Sequence, residues 1–170
     1  MCRENDRFHY YERIEGIMKK NNEFYLGFCM TPAPATTDLY VRTPEDCYRA
    51  CEEQAGYGQE AFTVLCLNTR NRLIAGGIIS IGVIDACLAH SREVFRKAIE
   101  CQACAVVLVH NHPSSETSPS QEDINLTQRL VQAGQIIGIK LLDHIIIGKK
   151  TDASKGYLSL RESGVVTFDP

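Results

Sequence analysis

The sequence lacks the features that mark several large classes of protein. No apolar run approaches the ~18 residues that a membrane span needs. The start, "MCRENDRFHYYERIEG", has no apolar stretch of the kind a secretory signal carries. A cytoplasmic protein with no membrane partner is therefore expected. Basic charge is not in surplus: the formal net charge is −3 and the pI is about 5.9, whereas a dedicated nucleic-acid binder carries a basic face. No internal repeat is visible. The bulk is ordinary: 170 residues, 44% hydrophobic and 23% charged, suffice for one domain with a core.

A second cysteine pair is also missing. Of eight cysteines, Cys101 and Cys104 form the one C-x-x-C, and a structural zinc site of that type needs another pair. His110 and His112 cannot supply it, since a strand over 104–110 would separate the two pairs by roughly 20 Å at ~3.3 Å per residue. Cys101 and Cys104 are therefore expected as small buried core residues, and so are Cys47 and Cys51 on one helix face. In a reducing compartment they stay free thiols.

What is present has a clear order. Residues 1–38 read as an N-terminal arm or extension, with the Pro-, Ala- and Thr-rich "MTPAPATTD" at its end, and 39–170 as a single domain. Thr43-Pro44-Glu45-Asp46 opens a helix by its N-cap, its proline and its early acids, and that helix is expected to reach about Gln54. "EAFTVLCLN" and "RLIAGGIISIG" form a hairpin. Ser91 is the expected cap of a second helix. "CAVVLVH" and "KLLDHIIIG" are apolar enough to be strands covered on both faces, a third helix spans about 121–137 between them, and "GYLSL" is a short last strand. The alternation predicts a layered α/β sandwich.

The chemistry concentrates in "HNHPSSETSPSQED", residues 110–123. Side chains at i and i+2 of a strand share a side, so His110 and His112 project together while Asn111 faces away, at the end where open α/β sheets place ligands. Ser120 and Asp123 have the spacing of a capping box. Asp123 also lies within about 60° of Leu126 on the helical wheel, on a stripe continued by Leu130, Ala133 and Ile137. A carboxylate aimed at the sheet needs compensation, because a lone buried charge is costly. Two imidazoles and a divalent cation would provide it, and three protein ligands with one open position is the pattern of catalytic zinc. A carboxylate base beside the activated water would complete the set. Spacing alone leaves Glu60, Glu116 and Asp143 (beside His144) all open for that part.

His110-x-His112, seven residues, Ser120, two residues, Asp123, with a glutamate upstream, resembles the JAMM/MPN+ metalloprotease motif. The text around it resembles the RadC-like branch over about residues 43–165. The resemblance implies a cytidine-deaminase-like fold with a mixed central sheet flanked by helices, and a zinc ion (Zn2+) held by His110, His112 and Asp123. It also implies Glu60 as general base and Ser120 as the group orienting water or stabilising the oxyanion. The implied activity is peptide or isopeptide hydrolysis on a protein or peptide substrate, which in relatives includes ubiquitin-like tails. The alternative is a DNA repair-associated protein without peptidase activity, which the charge does not favour. Two departures stand out. Ser115 replaces the glycine of the commoner HNHPSG, which is tolerated only if that position does not need positive φ. Residues 1–38 also lack the glycine-rich hairpins of a helix-hairpin-helix DNA-binding region. A zinc nucleobase deaminase is disfavoured, since His112 stands where H-x-E is required and no P-C-x-x-C follows. Oligomeric state is not readable.

Overall fold

The computed structural model describes residues 31–32, 39–82 and 90–168. The expected arm over 1–38 lies outside them except for Thr31 and Pro32, which form a two-residue edge strand β1 (Thr31–Pro32). Thr43 closes a capping box with Asp46 to start α1 (Pro44–Ala50). That helix is shorter than expected: after Cys51 the chain tightens into a 3-10 turn over Glu52–Gly56. The hairpin follows as β2 (Ala61–Leu67) and β3 (Leu73–Ile81). At its turn the Asn68 side chain accepts the backbone N–H groups of Arg70 and Arg72. Helix α2 (Ser91–Glu100) has His90, not Ser91, at its cap and no side-chain cap bond there. Strand β4 (Ala105–Asn111), helix α3 (Gln121–Ile137), strand β5 (Lys140–Ile147) and strand β6 (Tyr157–Ser159) complete the described chain.

The strands make one mixed sheet in the order β1-β3-β2-β4-β5-β6. Its β4–β5 pair is parallel and the others are antiparallel. A parallel pair needs a crossover, and α3 supplies it. Both sheet faces are covered. Val107, Val109, Ile145 and Ile147 pack with Cys47, Tyr48 and Ala55 of the α1 layer. Val106, Leu108 and Ile146 pack with Val94 and Phe95 of α2 and Leu126 and Leu130 of α3. This is the layered α/β architecture of JAB/MPN-type domains, with helices on both faces as the apolar central strands require.

The buried stripe of α3 differs at its end from the expected one. Leu126 and Leu130 are buried, but Ile137 is 42% exposed, and the stripe turns instead through Val131 to Gly134. The absence of a side chain lets the last turn close against β5: a Cβ on Gly134 would stand 2.5 Å from the Ile139 carbonyl and 3.2 Å from the Phe95 ring. The cysteine expectation is also corrected in part. Cys47 and Cys51 are buried, but Cys101 is half-buried and Cys104 is exposed, because Cys104 falls in the turn before β4 rather than within the strand.

Gly134→Ala forces α3 away from β5, an overpacking that costs on the order of 1–3 kcal/mol. Urea unfolding should show its midpoint lowered with the m-value unchanged.

Candidate metal centre

The site forms where the end of β4 meets the start of α3. The pleat of β4 sends His110 toward α3, and the strand pattern runs one residue past its end: the His112 N–H bonds the Ile147 carbonyl at 3.0 Å. His112 thus keeps the alternation and joins His110 on one face, their Nε2 atoms 2.9 Å apart. His110 is fully buried and stacks on Phe62, ring centroids 4.5 Å apart. The Nδ1 of His112 lies 2.6 Å from the Glu116 carbonyl. A carbonyl can only accept, so the proton sits on Nδ1 and, in the neutral ring, Nε2 presents a lone pair.

Asp123 comes from the other side. Ser120 caps α3: its Oγ accepts the Asp123 N–H at 3.1 Å, while Asp123 Oδ2 accepts the Ser120 N–H at 2.8 Å and the Ser120 hydroxyl at 2.7 Å. This satisfies Oδ2. Oδ1 is buried with no hydrogen-bond partner, 3.3 Å from His110 Nε2. His110, His112 and Asp123 each offer a ligand atom, all within 4.8 Å of one another. An orphaned carboxylate oxygen facing two imidazole nitrogens has the hard, borderline donor set and the spacing that a zinc ion uses, so these three residues fit the ion.

The electrostatics agree. Burial pushes Asp123 up, but the His112 hydrogen bond, the nearby His110 imidazole and the Ser120 bonds outweigh it, holding the carboxyl well below the usual range. Burial, then the neighbouring His144, pull His110 down and keep it neutral. The same burial acts on His112, yet bonds to Asp123 and the Glu116 carbonyl, with the charges of Asp123 and Glu60, raise it overall.

Glu60 stands one residue before β2. Phe62 pairs with His110 across the β2–β4 ladder, so the same antiparallel register continued outward sets Glu60 against His112, on the same face. Burial, aided by the Asp123 charge and opposed by His112, raises the Glu60 carboxyl, and its Oε2 is buried without a partner. The other acids are elsewhere engaged. Glu116 is held by Ser118 in the exposed loop. Asp143 lies on the far face of β5, accepting the His144 N–H at 2.7 Å, the Ser159 hydroxyl at 2.6 Å and the Arg161 N–H at 3.1 Å.

Asn111, between the two histidines, does face away, into a buried polar cluster. Its Oδ1 accepts the Ala61 N–H at 2.9 Å and its Nδ2 donates to the Gln59 carbonyl at 3.0 Å. Gln54 donates to the Ala61 carbonyl and accepts the Thr63 hydroxyl. The backbone is therefore clamped on both sides of Glu60. Sequence reasoning missed this clamp, and its one visible signal was a polar residue inside an apolar strand.

Ser115 does adopt positive φ, 62°, against the expectation for a serine. Its N–H bonds the His112 carbonyl at 2.8 Å and its Oγ accepts the Lys149 N–H at 3.3 Å. The strained turn is accommodated by Gly148, where a Cβ would stand 2.7 Å from the Ser115 carbonyl.

A mixed sheet with His-x-His at a central strand end and a capped Ser-x-x-Asp helix beside it is the arrangement of a JAB-type domain. The RadC-like JAB domain family model matches residues 41–165, and the chain belongs to that family. It is 44% identical to a UPF0758 protein of Desulforamulus reducens over 83% of this chain and 60% of the relative. It is 46% identical to one of Caldanaerobacter subterraneus over 76% and 54%, and 47% identical to one of Desulforudis audaxviator over 74% and 55%. The chain thus spans little more than half the length of these relatives. Among the described residues no helix is long and apolar enough to cross a membrane.

Zinc at a hundredfold excess over its dissociation constant should stabilise the fold by about 2.7 kcal/mol, read as a rise in Tm. His112→Ala should lose both that rise and the bound zinc in elemental analysis. Asn111→Ala strands the Ala61 N–H and the Gln59 carbonyl at a cost of ~1–3 kcal/mol. Hydrogen exchange at Ala61 should speed up while the zinc content stays at the wild-type level.

Proposed function

We propose that this domain is a zinc-dependent hydrolase of peptide or isopeptide bonds acting on a protein or peptide substrate, a ubiquitin-like tail being one form. The observation that carries the reading is the meeting of two imidazole nitrogens and the unpartnered Asp123 Oδ1 beside a half-buried glutamate, Glu60, whose Oε2 is buried without a partner. His110, His112 and Asp123 would hold the metal. A bound zinc ion supplies Lewis acidity, which acidifies water near neutral pH and polarises a carbonyl.

The chain's own residues do the rest. Glu60 has a carboxyl raised by burial, which brings its proton affinity nearer to neutral, where a general base works best. Its free Oε2 takes a proton from the attacking water and returns it to the leaving amine. Ser120 has its hydroxyl proton on Asp123 Oδ2. Turning that proton toward a developing oxyanion leaves Oδ2 held by the Ser120 backbone N–H, so the ligand stays oriented while the hydroxyl stabilises charge. The Asn111 clamp keeps Glu60 at a fixed distance from the ligands, as proton transfer requires. A DNA-linked role has less support in a chain of net charge −3.

Glu60→Gln keeps shape and removes the base. Zinc-loaded wild-type protein should cleave members of a fluorescence-quenched peptide library or an isopeptide-linked lysine conjugate, and Glu60→Gln should keep its zinc while losing at least a hundredfold in kcat/KM. Undiminished turnover by Glu60→Gln would remove Glu60 from the role. Inert wild-type protein on both probes would count against a hydrolase.

A further inference from the structure

Behind His110 lies a buried polar chain that the hydrolytic reading does not use. His110 Nδ1 is 2.7 Å from His144 Nε2. His144 Nδ1 is 2.6 Å from the Thr127 hydroxyl, and that hydroxyl is also 2.6 Å from the Asp123 carbonyl, one helical turn back. All three side chains are fully buried. Three contacts of this length each need one hydrogen between them.

The hydrogens can be assigned from one end. The Asp123 carbonyl has no proton, so the Thr127 hydroxyl donates to it. The hydroxyl then accepts from His144 Nδ1–H. A neutral His144 is bare at Nε2 and accepts from His110 Nδ1–H. A neutral His110 is bare at Nε2, which is the atom facing His112 and Asp123. No other assignment with neutral rings places one hydrogen in every contact.

We propose that His144, seated by Thr127, is a positioning residue that locks His110 in its Nδ1–H tautomer and so presents the Nε2 lone pair to a divalent metal ion. The proposal rests on reading the His110, His112 and Asp123 cluster as a metal site. It makes the ligand set reach back into α3: Asp123 supplies a ligand through its side chain and, through its carbonyl, starts the relay that orients a second. Outer partners of this kind fix ring orientation and tautomer in metal sites.

The backbone is shaped for the purpose. Between β4 and β5, Val106 pairs with Leu141 but Val107 pairs with Asp143, so Leu142 is passed over. Without that extra residue, Leu141 and His144, three apart, would face opposite sides. The irregularity flips the parity of the strand and brings both onto the α3 face. The bulged Leu142 carbonyl is met by the Arg161 guanidinium at 3.1 Å.

The test uses the full chain and zinc alone, with affinity measured by competition against a chromophoric chelator. The variants are His112→Ala, His144→Ala, Thr127→Val and Thr127→Ser. Thr127→Val keeps the volume but leaves His144 Nδ1 without an acceptor, which turns His144 to its Nε2–H form and His110 with it. His144→Ala and Thr127→Val should each weaken zinc binding by about 10- to 100-fold, and Thr127→Ser should restore it. Nitrogen-15 shifts of the imidazoles should show His110 as Nδ1–H in wild type and Thr127→Ser, and displaced from it in metal-free Thr127→Val. Wild-type affinity in both His144→Ala and Thr127→Val, with the His110 tautomer unchanged, would overturn the relay and leave the metal site standing. Zinc binding no tighter in wild type than in His112→Ala would overturn the metal reading and the relay together.

Discussion

A carboxylate withdrawn from water organises this molecule. Asp123 is 1% exposed, and an ionised group in that position is tolerable only if its surroundings supply positive charge or hydrogen-bond donors on every side. The helix start supplies two donors to Oδ2 through Ser120, and the partial positive charge of the helix N-terminus favours an anion there. Oδ1 receives nothing. The protein therefore satisfies half of the carboxylate and leaves the other half turned toward two imidazoles, whose own lone pairs would repel each other across 2.9 Å without a cation or proton between them. The capping box engages one oxygen of the Asp123 side chain, and the candidate metal site is offered by the other.

Topology explains why these groups can meet. A parallel pair joined through a helix puts the end of the first strand beside the start of that helix, and here β4 and α3 are that pair of elements. The loop between them has to turn tightly enough to return Glu116 to His112, and it does so through Ser115 in a left-handed conformation that ordinarily favours glycine. The missing side chain has moved to the neighbour: Gly148 has no room for a Cβ. Glycine is thus needed at the contact rather than at the strained residue.

Much of this was legible in the sequence, and the rest was hidden for identifiable reasons. The alternation of His110 and His112, the capping box at Ser120 and the inward face of Asp123 are local patterns with periods of 2 and 3.6, and the structure brings those residues together as expected. Glu60 was not separable from Glu116 and Asp143 by spacing, because its relation to His112 runs through strand register, a non-local quantity. The resemblance chose it, and the continued register places it on the ligand face. The facing of His144 depended on one extra residue at Leu142, which no composition rule marks. A wheel that keeps the heading of Leu126 and Leu130 points Ile137 inward, whereas the close approach at Gly134 swings the buried face round through Val131 to Gly134 and leaves Ile137 42% exposed.

The end of β4 shows how one strand can serve two layers. A residue between two neighbours on one face of a pleated strand points to the opposite face, so His-x-His delivers one side chain to the layer behind the candidate metal site. Here that side chain is Asn111, and its bonds to Ala61 and Gln59 hold the backbone that carries Glu60. Two of the three candidate ligands and the proposed base are thereby fixed by a single stretch of three residues, two reaching forward to the candidate metal site and one reaching back to the strand beside the base. The β2–β4 ladder from Phe62/His110 to Leu67/Ala105 and the Asn111 bonds to Ala61 and Gln59 together oppose any slip of β4 that would change the spacing of ligands and base. That is a more robust way to hold a catalytic distance than fixing ligands and base on separately anchored loops.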